Sequence, residues 1–275
     1  MTAATEALPT RPRRAAGWSA LPPLLRRGIL LALLIGAWQA YVTAGHVDKL
    51  LFASPADTAR AFVRGWTNGS LSEPTLETLK ILGLGLVIGA AVAAVFAVAA
   101  SLTTVGEDLL QLRSSILNPL PGVAVLPLAM LWFGLNTKAI LFAIANATIW
   151  PIALNLSTGF KTANPTIVAV GRNIGLSRWR VVTDVLVPAA LPHAITGLKT
   201  AWAFGWRTII AAELVFGVAG SKGGLGTYIN NAKLYLLIPQ VFAGLVTIAI
   251  LGVLFEYLFT VLERHTVVRW GMQTS

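Results

Sequence analysis

Three charged residues, Lys199, Arg207 and Glu213, interrupt a stretch that is otherwise apolar from about 191 to 215. A charge at mid-bilayer costs at least a few kcal/mol, so such residues face a cavity or a partner. At 100° per residue, Lys199 and Glu213 fall within about 40° of one helix face, whereas Arg207 and Glu213 lie far apart around the helix. A same-helix Arg207–Glu213 pair is therefore not expected. Arginine's planar fork suits sulfonate or carboxylate oxygens, which makes Arg207 the first candidate for attracting an anion, with Lys199 second. The plainer alternative is structural. Arg207 would pair with a carboxylate or carbonyl on another helix, and Lys199, close after Pro192, would snorkel to the membrane boundary. Glu213, near the outer end, reads as a gate or structural partner before a ligand contact.

Trp202 and Trp206 are four residues apart and share a helical stripe. Trp206, beside Arg207, is a pathway candidate. Trp132, Trp150 and Trp202 read as packing or interface anchors. Gly223, Gly224 and Gly226 belong to a glycine-rich run, Gly217 to Gly226, that would form an outer gate loop or simply permit a tight return.

Other chemistries lack their residues. There is no cysteine, which excludes thiolate metal sites and a Cys nucleophile. The histidines, His46, His193 and His265, form no helical pair, so no metal centre is expected. The text Gly220-Ser221-Lys222-Gly223 has the wrong order for a P-loop. No Ser-His-Asp or paired-carboxylate set is present, so no catalytic residue is assigned and the chain is not expected to be an enzyme.

The elements that position these residues must lie in lipid. Of the 275 residues, 56% are hydrophobic and only 12% charged, with mean hydropathy +0.73. A soluble domain is usually about a quarter charged. Each spanning helix needs about 20 apolar residues, so six spans would take roughly 120. The net charge of +10 would suggest nucleic acid in a soluble protein. Here it reads as topology, because Lys and Arg gather on the cytoplasmic side.

Residues 1–27 read as a tail without apolar periodicity. The run Gly28 to Gly45 reads as a first helix, retained rather than cleaved as a signal peptide, because Trp38, Gln39 and Tyr41 interrupt the cleavage region. Pro55 to Trp66 predicts a short amphipathic interfacial helix. Further spans are expected over about 78–102, 109–133, 137–159, 191–215 and 237–262. Gly85 and Gly89 form a small-xxx-small pair that either admits a close neighbour or is ordinary filling. Pro119, Pro121 and Pro127 must kink or break the third span, and the fourth carries Asn146, Thr148, Asn155 and Ser157. Residues 28–270 would be the transmembrane domain and 271–275 a C-terminal tail. With the amino terminus inside, about twelve basic residues fall on the inner side and about six outside, which favours both termini in the cytoplasm.

The connection from Asn164 to Pro192 is more than a loop. Asn164 can cap a helix with Pro165 at its first position. Gly175 breaks that helix, Ser177 can cap a second, and Pro188 would end it. The product is two short helices and an elbow, whose surface mixes Val, Ile and Trp179 with Arg172, Arg178 and Arg180. Such a surface suits a cytoplasmic partner.

This segment resembles the coupling motif of binding-protein-dependent ABC importer permeases: Glu-Ala-Ala, three residues, Gly, nine residues, then Ile-x-Leu-Pro. Gly175 matches the glycine, and Val185, Leu186, Val187 and Pro188 match the tail. Ala169, Val170 and Gly171 stand at the Glu-Ala-Ala position, so the acidic residue is missing. Variation there is compatible with the nitrate, sulfonate and taurine branch, which the rest of the chain also resembles. That wider resemblance runs from Leu51–Pro55 (LFASP) through Pro119–Gly134, Trp206–Glu213 (WRTIIAAE) and Gly223–Gly226 to Leu262–Trp270.

The resemblance implies an all-α polytopic fold with about six spans, as in type I importer permeases, in a bacterial inner membrane. It implies a second permease copy, two ATP-binding cassette subunits that bind ATP and magnesium, and an extracytoplasmic substrate-binding protein. The coupling segment would be 164–188. The substrate would be a small anion, with a neutral or cationic metabolite precursor as the alternative. A competing reading, a channel or secondary carrier, would need acidic residues in the spans, where only Glu213 and Glu256 qualify, and would leave the elbow unexplained.

Overall fold

A computed structural model describes residues 21–45, 47–48, 50–216 and 223–268. Most of the expected tail, Lys49 and Lys222 of the charge count, positions 217–222 of the glycine run, and Trp270 with the C-terminal tail lie outside these residues. The described chain is helical, with no strand.

The first helix, α1 (Pro23–Ala44), begins before Arg26 rather than after Arg27, so five residues assigned to the tail are helical. Pro23 at its first turn explains the start: the fixed φ of proline suits a helix and its missing N–H needs no partner there. No residue of α1 is buried. It is held through Trp38, whose indole donates to the Ala53 carbonyl at 3.1 Å and packs on Phe242, and through Tyr41, whose ring meets Phe52 edge-on. The amphipathic helix α2 (Pro55–Thr67) forms as expected, capped by Ser54, whose hydroxyl accepts from the Asp57 N–H.

Helix α3 (Ser72–Leu102) starts six residues earlier than hydropathy suggested, because Pro74 falls in the first turn, where proline is tolerated. The proline-rich span does break. Helix α4 (Thr104–Leu117) is followed by a 3₁₀ turn at Gly122–Val125 and by α5 (Leu126–Phe133), and the two arms meet at 92°. Helix α6 (Thr137–Lys161) is apolar nearly all round and is the central element. Gly85 and Gly89 of α3 both pack on it: a methyl group at either position would overlap Ile144 or Thr148. The pair therefore admits a close neighbour.

The elbow forms as α7 (Pro165–Asn173), capped by Asn164, and α8 (Arg178–Val181), capped by Ser177. Gly175 takes a left-handed φ of 83° between them. Pro188 does not end the second helix. A π turn at Val182–Leu186 carries the chain into α9 (Val187–Ala189). The wider register helps to absorb the proline's missing N–H. Beyond a 69° bend runs α10 (Leu191–Phe216). It lies antiparallel to α6: Gly159 meets Ala190, Gly197 meets Asn155, and Gly205 meets Thr148.

An unexpected helix, α11 (Leu225–Leu234), follows the glycine run, so Gly226 is helical rather than part of a loop. Helix α12 (Ile238–Glu263) closes the described fold, with a final π turn to Val268. Among the described residues four helices are long and apolar enough to cross a membrane, and up to six if each bent pair is one span.

Candidate functional site

The break between α4 and α5 opens a cleft of about 350 Å³ against α6 and α10. Gly122 makes this approach possible. It sits on Thr208 of α10 and Ala147 of α6, where a methyl group would overlap the Thr208 hydroxyl. Arg207 lines the cleft, is exposed, and makes no ion pair or hydrogen bond with another described residue. The structural partner considered for it is thus not found among the described residues. Trp150 forms part of the wall, its indole donating to Asn146 Oδ1 at 3.4 Å.

The other pathway candidates lie elsewhere. Trp206 is next to Arg207 in sequence but on another face of α10. It is buried and stacked on Trp202, with ring centroids 5.9 Å apart, and Trp202 in turn lies 3.8 Å from Phe255 of α12. The shared stripe is real and it packs toward α12. Lys199 also turns to α12, where its ammonium donates to Glu256 at 2.8 Å and to the Thr260 hydroxyl at 3.4 Å. The same-face prediction for Lys199 and Glu213 does not make them partners: each meets a different helix.

Glu213 is fully buried and ties three helices together. It accepts from the Thr78 hydroxyl of α3 at 2.9 Å and from the Gly226 N–H of α11 at 2.9 Å. The Thr78 oxygen accepts from the Leu225 N–H at 2.8 Å. Two of the unpaired N–H groups that open any helix are thereby satisfied for α11. Gly224 and Gly226 belong to this clasp. A methyl at Gly224 would overlap the Glu213 carboxylate, and one at Gly226 would come within 2.6 Å of Glu213 Cβ and 2.8 Å of the Ile210 carbonyl oxygen. At Gly223 an added methyl would first meet Thr227.

At the far end of α10, the elbow presents a mixed apolar and basic surface. Val170 and Trp179 are more than half exposed, as are Ile167 and Ile174. Gly171 is buried inside the elbow, near Leu176. Ala169, Arg172 and Arg178 line a cleft of about 770 Å³ between the elbow and the ends of α3 and α6. Ser177 caps α8, while Gly175 and Pro188 shape the backbone. Lys161, on the rim of this cleft, is held by Glu107 of α4 at 2.6 Å.

Sequence reasoning missed Thr78 and Gly122 altogether, and saw Asn146 only as a polar residue within a span. Thr78 stands in the polar stretch Ser72–Lys80, where a hydroxyl carries no signal.

The chain is 27% identical to the putative aliphatic sulfonates transport permease protein SsuC of Bacillus subtilis (strain 168), over 96% of this chain and 92% of that protein. It is likewise 27% identical to the taurine transport system permease protein TauC of Escherichia coli (strain K12), over 86% of each. In fold it is similar to a chain from the crystal structure of an amino acid ABC transporter with histidines, at a TM-score of 0.58 and 17% identity, covering 80% of this chain and 99% of that one. Residues 85–268 match the family described as binding-protein-dependent transport system inner membrane component, and the chain belongs to that family of ABC importer permeases.

Proposed function

We propose that the chain forms half of the translocation pathway of an ATP-driven importer for a small anion of sulfonate, taurine, nitrate or carboxylate type. A second copy supplies the other half. Two cytoplasmic ATPase subunits, binding ATP and magnesium, drive the pair, and an extracytoplasmic binding protein delivers the solute.

One observation carries the choice of an anion. Arg207 offers a guanidinium without a counter-charge among the described residues, on a cleft where a spanning segment turns through 92°. A cation in that position is retained where a cavity or a ligand compensates it. The relatives named for sulfonates and taurine point the same way.

The elbow supports the coupling role. Its exposed Val170, Ile174 and Trp179 are suited to a protein partner. Joined through α9 to the start of α10, it is well placed to move that helix as a rigid body of about 39 Å. Its other end carries Glu213 and the α11 clasp, which would act as the gate. With the elbow in the cytoplasm, both chain termini lie there too.

Arg207→Glu tests the reading in membrane vesicles containing the whole transporter. Uptake of labelled taurine or butanesulfonate should be lost while the ATPase subunits still co-purify, and Arg207→Lys should keep part of the activity. Intact uptake in Arg207→Glu would show that Arg207 is not the anion contact. A solubilised complex devoid of ATPase subunits would rule out the coupling role.

A further inference from the structure

The elbow has two opposite faces. On α7, Ile167 and Val170 turn outward and are more than half exposed, whereas Val168 and Arg172 line the cleft of about 770 Å³ between the elbow and the ends of α3 and α6. At 100° per residue, the midpoints of those two pairs lie about 150° apart around the helix. The face suited to a protein partner is therefore separate from the face that lines the cleft.

The cleft is basic. Lys161, Arg172 and Arg178 line it, and among the described residues no carboxylate does. Glu107, on α4, neutralises Lys161. The guanidinium groups of Arg172 and Arg178 pair with no carboxylate among the described residues, so two positive charges are left over. The rest of the wall is largely apolar, with Leu102, Phe160 and Leu186.

Its depth matches a membrane boundary. The apolar run of α3 gives way there to Thr103 and Thr104, and that of α6 to Lys161 and Thr162. Seven residues before Leu102, Val95 is exposed, and seven before that so is Ile88. Residues seven apart lie within about 20° on a helix, so one exposed apolar track leads along α3 into the cleft. A soluble phosphate would use the two arginines and leave the track and the apolar wall uncovered. An anionic phospholipid meets both.

We propose that the cleft binds an anionic phospholipid of the adjoining leaflet, its phosphate diester on Arg172 and Arg178 and an acyl chain along Leu102, Val95 and Ile88. Basic pockets at the cytoplasmic ends of spanning helices take such headgroups. A zwitterionic lipid carries the same phosphate, but its ammonium is repelled by the surplus positive charge. Only the choice of the inner leaflet rests on the elbow lying in the cytoplasm.

The test is native mass spectrometry of the detergent-solubilised full chain, titrated with dioleoyl phosphatidylglycerol or dioleoyl phosphatidylethanolamine. The anionic lipid should bind at one tight site per chain, at least about tenfold more strongly than the zwitterionic one. A basic residue near a headgroup is worth about a factor of five, so Arg172→Gln and Arg178→Gln should each weaken binding by about that much. Arg180→Gln removes the same charge from the same elbow outside the cleft lining, and should leave the affinity unchanged. Equal binding of the two lipids, wild-type affinity in either cleft variant, or an equal loss in Arg180→Gln would overturn the proposal. Excess inorganic phosphate should not displace the lipid, and displacement would assign the cleft to a soluble anion instead. The lipid should also stay bound when the ATPase subunits assemble on the chain. Its release on assembly would give the cleft to that partner and overturn the lipid site, while the coupling reading would stand.

Discussion

Thr78 and Glu213 are 135 residues apart in the chain, yet the threonine hydroxyl donates to the carboxylate at 2.9 Å, and both side chains are fully buried. The same hydroxyl oxygen accepts from Leu225, and the same carboxylate accepts from Gly226, so two side chains cap α11 from two other helices.

This unit should fail cooperatively. Thr78→Val leaves the Leu225 N–H and one carboxylate oxygen short of partners, at about 1–3 kcal/mol. Glu213→Ala should lose at least as much, and Glu213→Gln less, since the amide still offers one acceptor and a donor. Thermal unfolding of the solubilised protein measures each. In the Thr78→Val/Glu213→Gln double variant, the combined loss should be smaller than the sum. Additive losses would mean that the two side chains do not act together.

The three glycines once grouped as one loop should behave differently. Gly226→Ala meets backbone at Ile210 and Leu214, and Gly224→Ala meets the Glu213 carboxylate. Both should destabilise the clasp and lower uptake. Gly223→Ala meets Thr227 Cγ2 at 2.5 Å and Cβ at 2.8 Å, outside the Glu213 carboxylate and the α10 backbone, and should cost less than either. Parallel uptake and melting measurements on the three variants decide the point, and equal tolerance would refute the packing account.

Lys199 and Glu256 should be exchangeable. Either Lys199→Met or Glu256→Gln leaves one charge near lipid without its partner, and the yield of folded protein should fall. The exchange Lys199→Glu/Glu256→Lys restores an ion pair across α10 and α12 and should recover much of that yield. Failure to recover, with both singles impaired, would indicate that Lys199 acts outside this pair.

In the elbow, backbone changes should uncouple rather than unfold. Gly175→Ala places a Cβ at a φ of 83°, at about 1–2 kcal/mol. Ser177→Ala removes the cap of α8, at about 1 kcal/mol. ATP-driven uptake by the reconstituted complex should drop in both, with little change in the melting of the transmembrane body. Unaltered uptake in both would count against the elbow as the coupling element.

The amino-acid sequence by itself determined the helical membrane class, most of the spans, the break at Pro119–Pro127 and the elbow at Gly175. Hydropathy, proline and glycine act on the local backbone, so these features can be read along the chain. The short helix α11 was not legible, because its mixed text of Thr227, Asn230, Asn231 and Lys233 has little helical or apolar signal and its start is capped by Thr78 and Glu213. The Trp202–Trp206 stripe could be read from spacing, but its direction could not. Only the packing of Gly122 on Ala147 of α6 and Thr208 of α10 sets Arg207 on a cleft, and only the neighbouring α12 turns Lys199 toward Glu256. A polar group in an apolar span announces that it needs a partner, and which partner it meets depends on how whole helices pack.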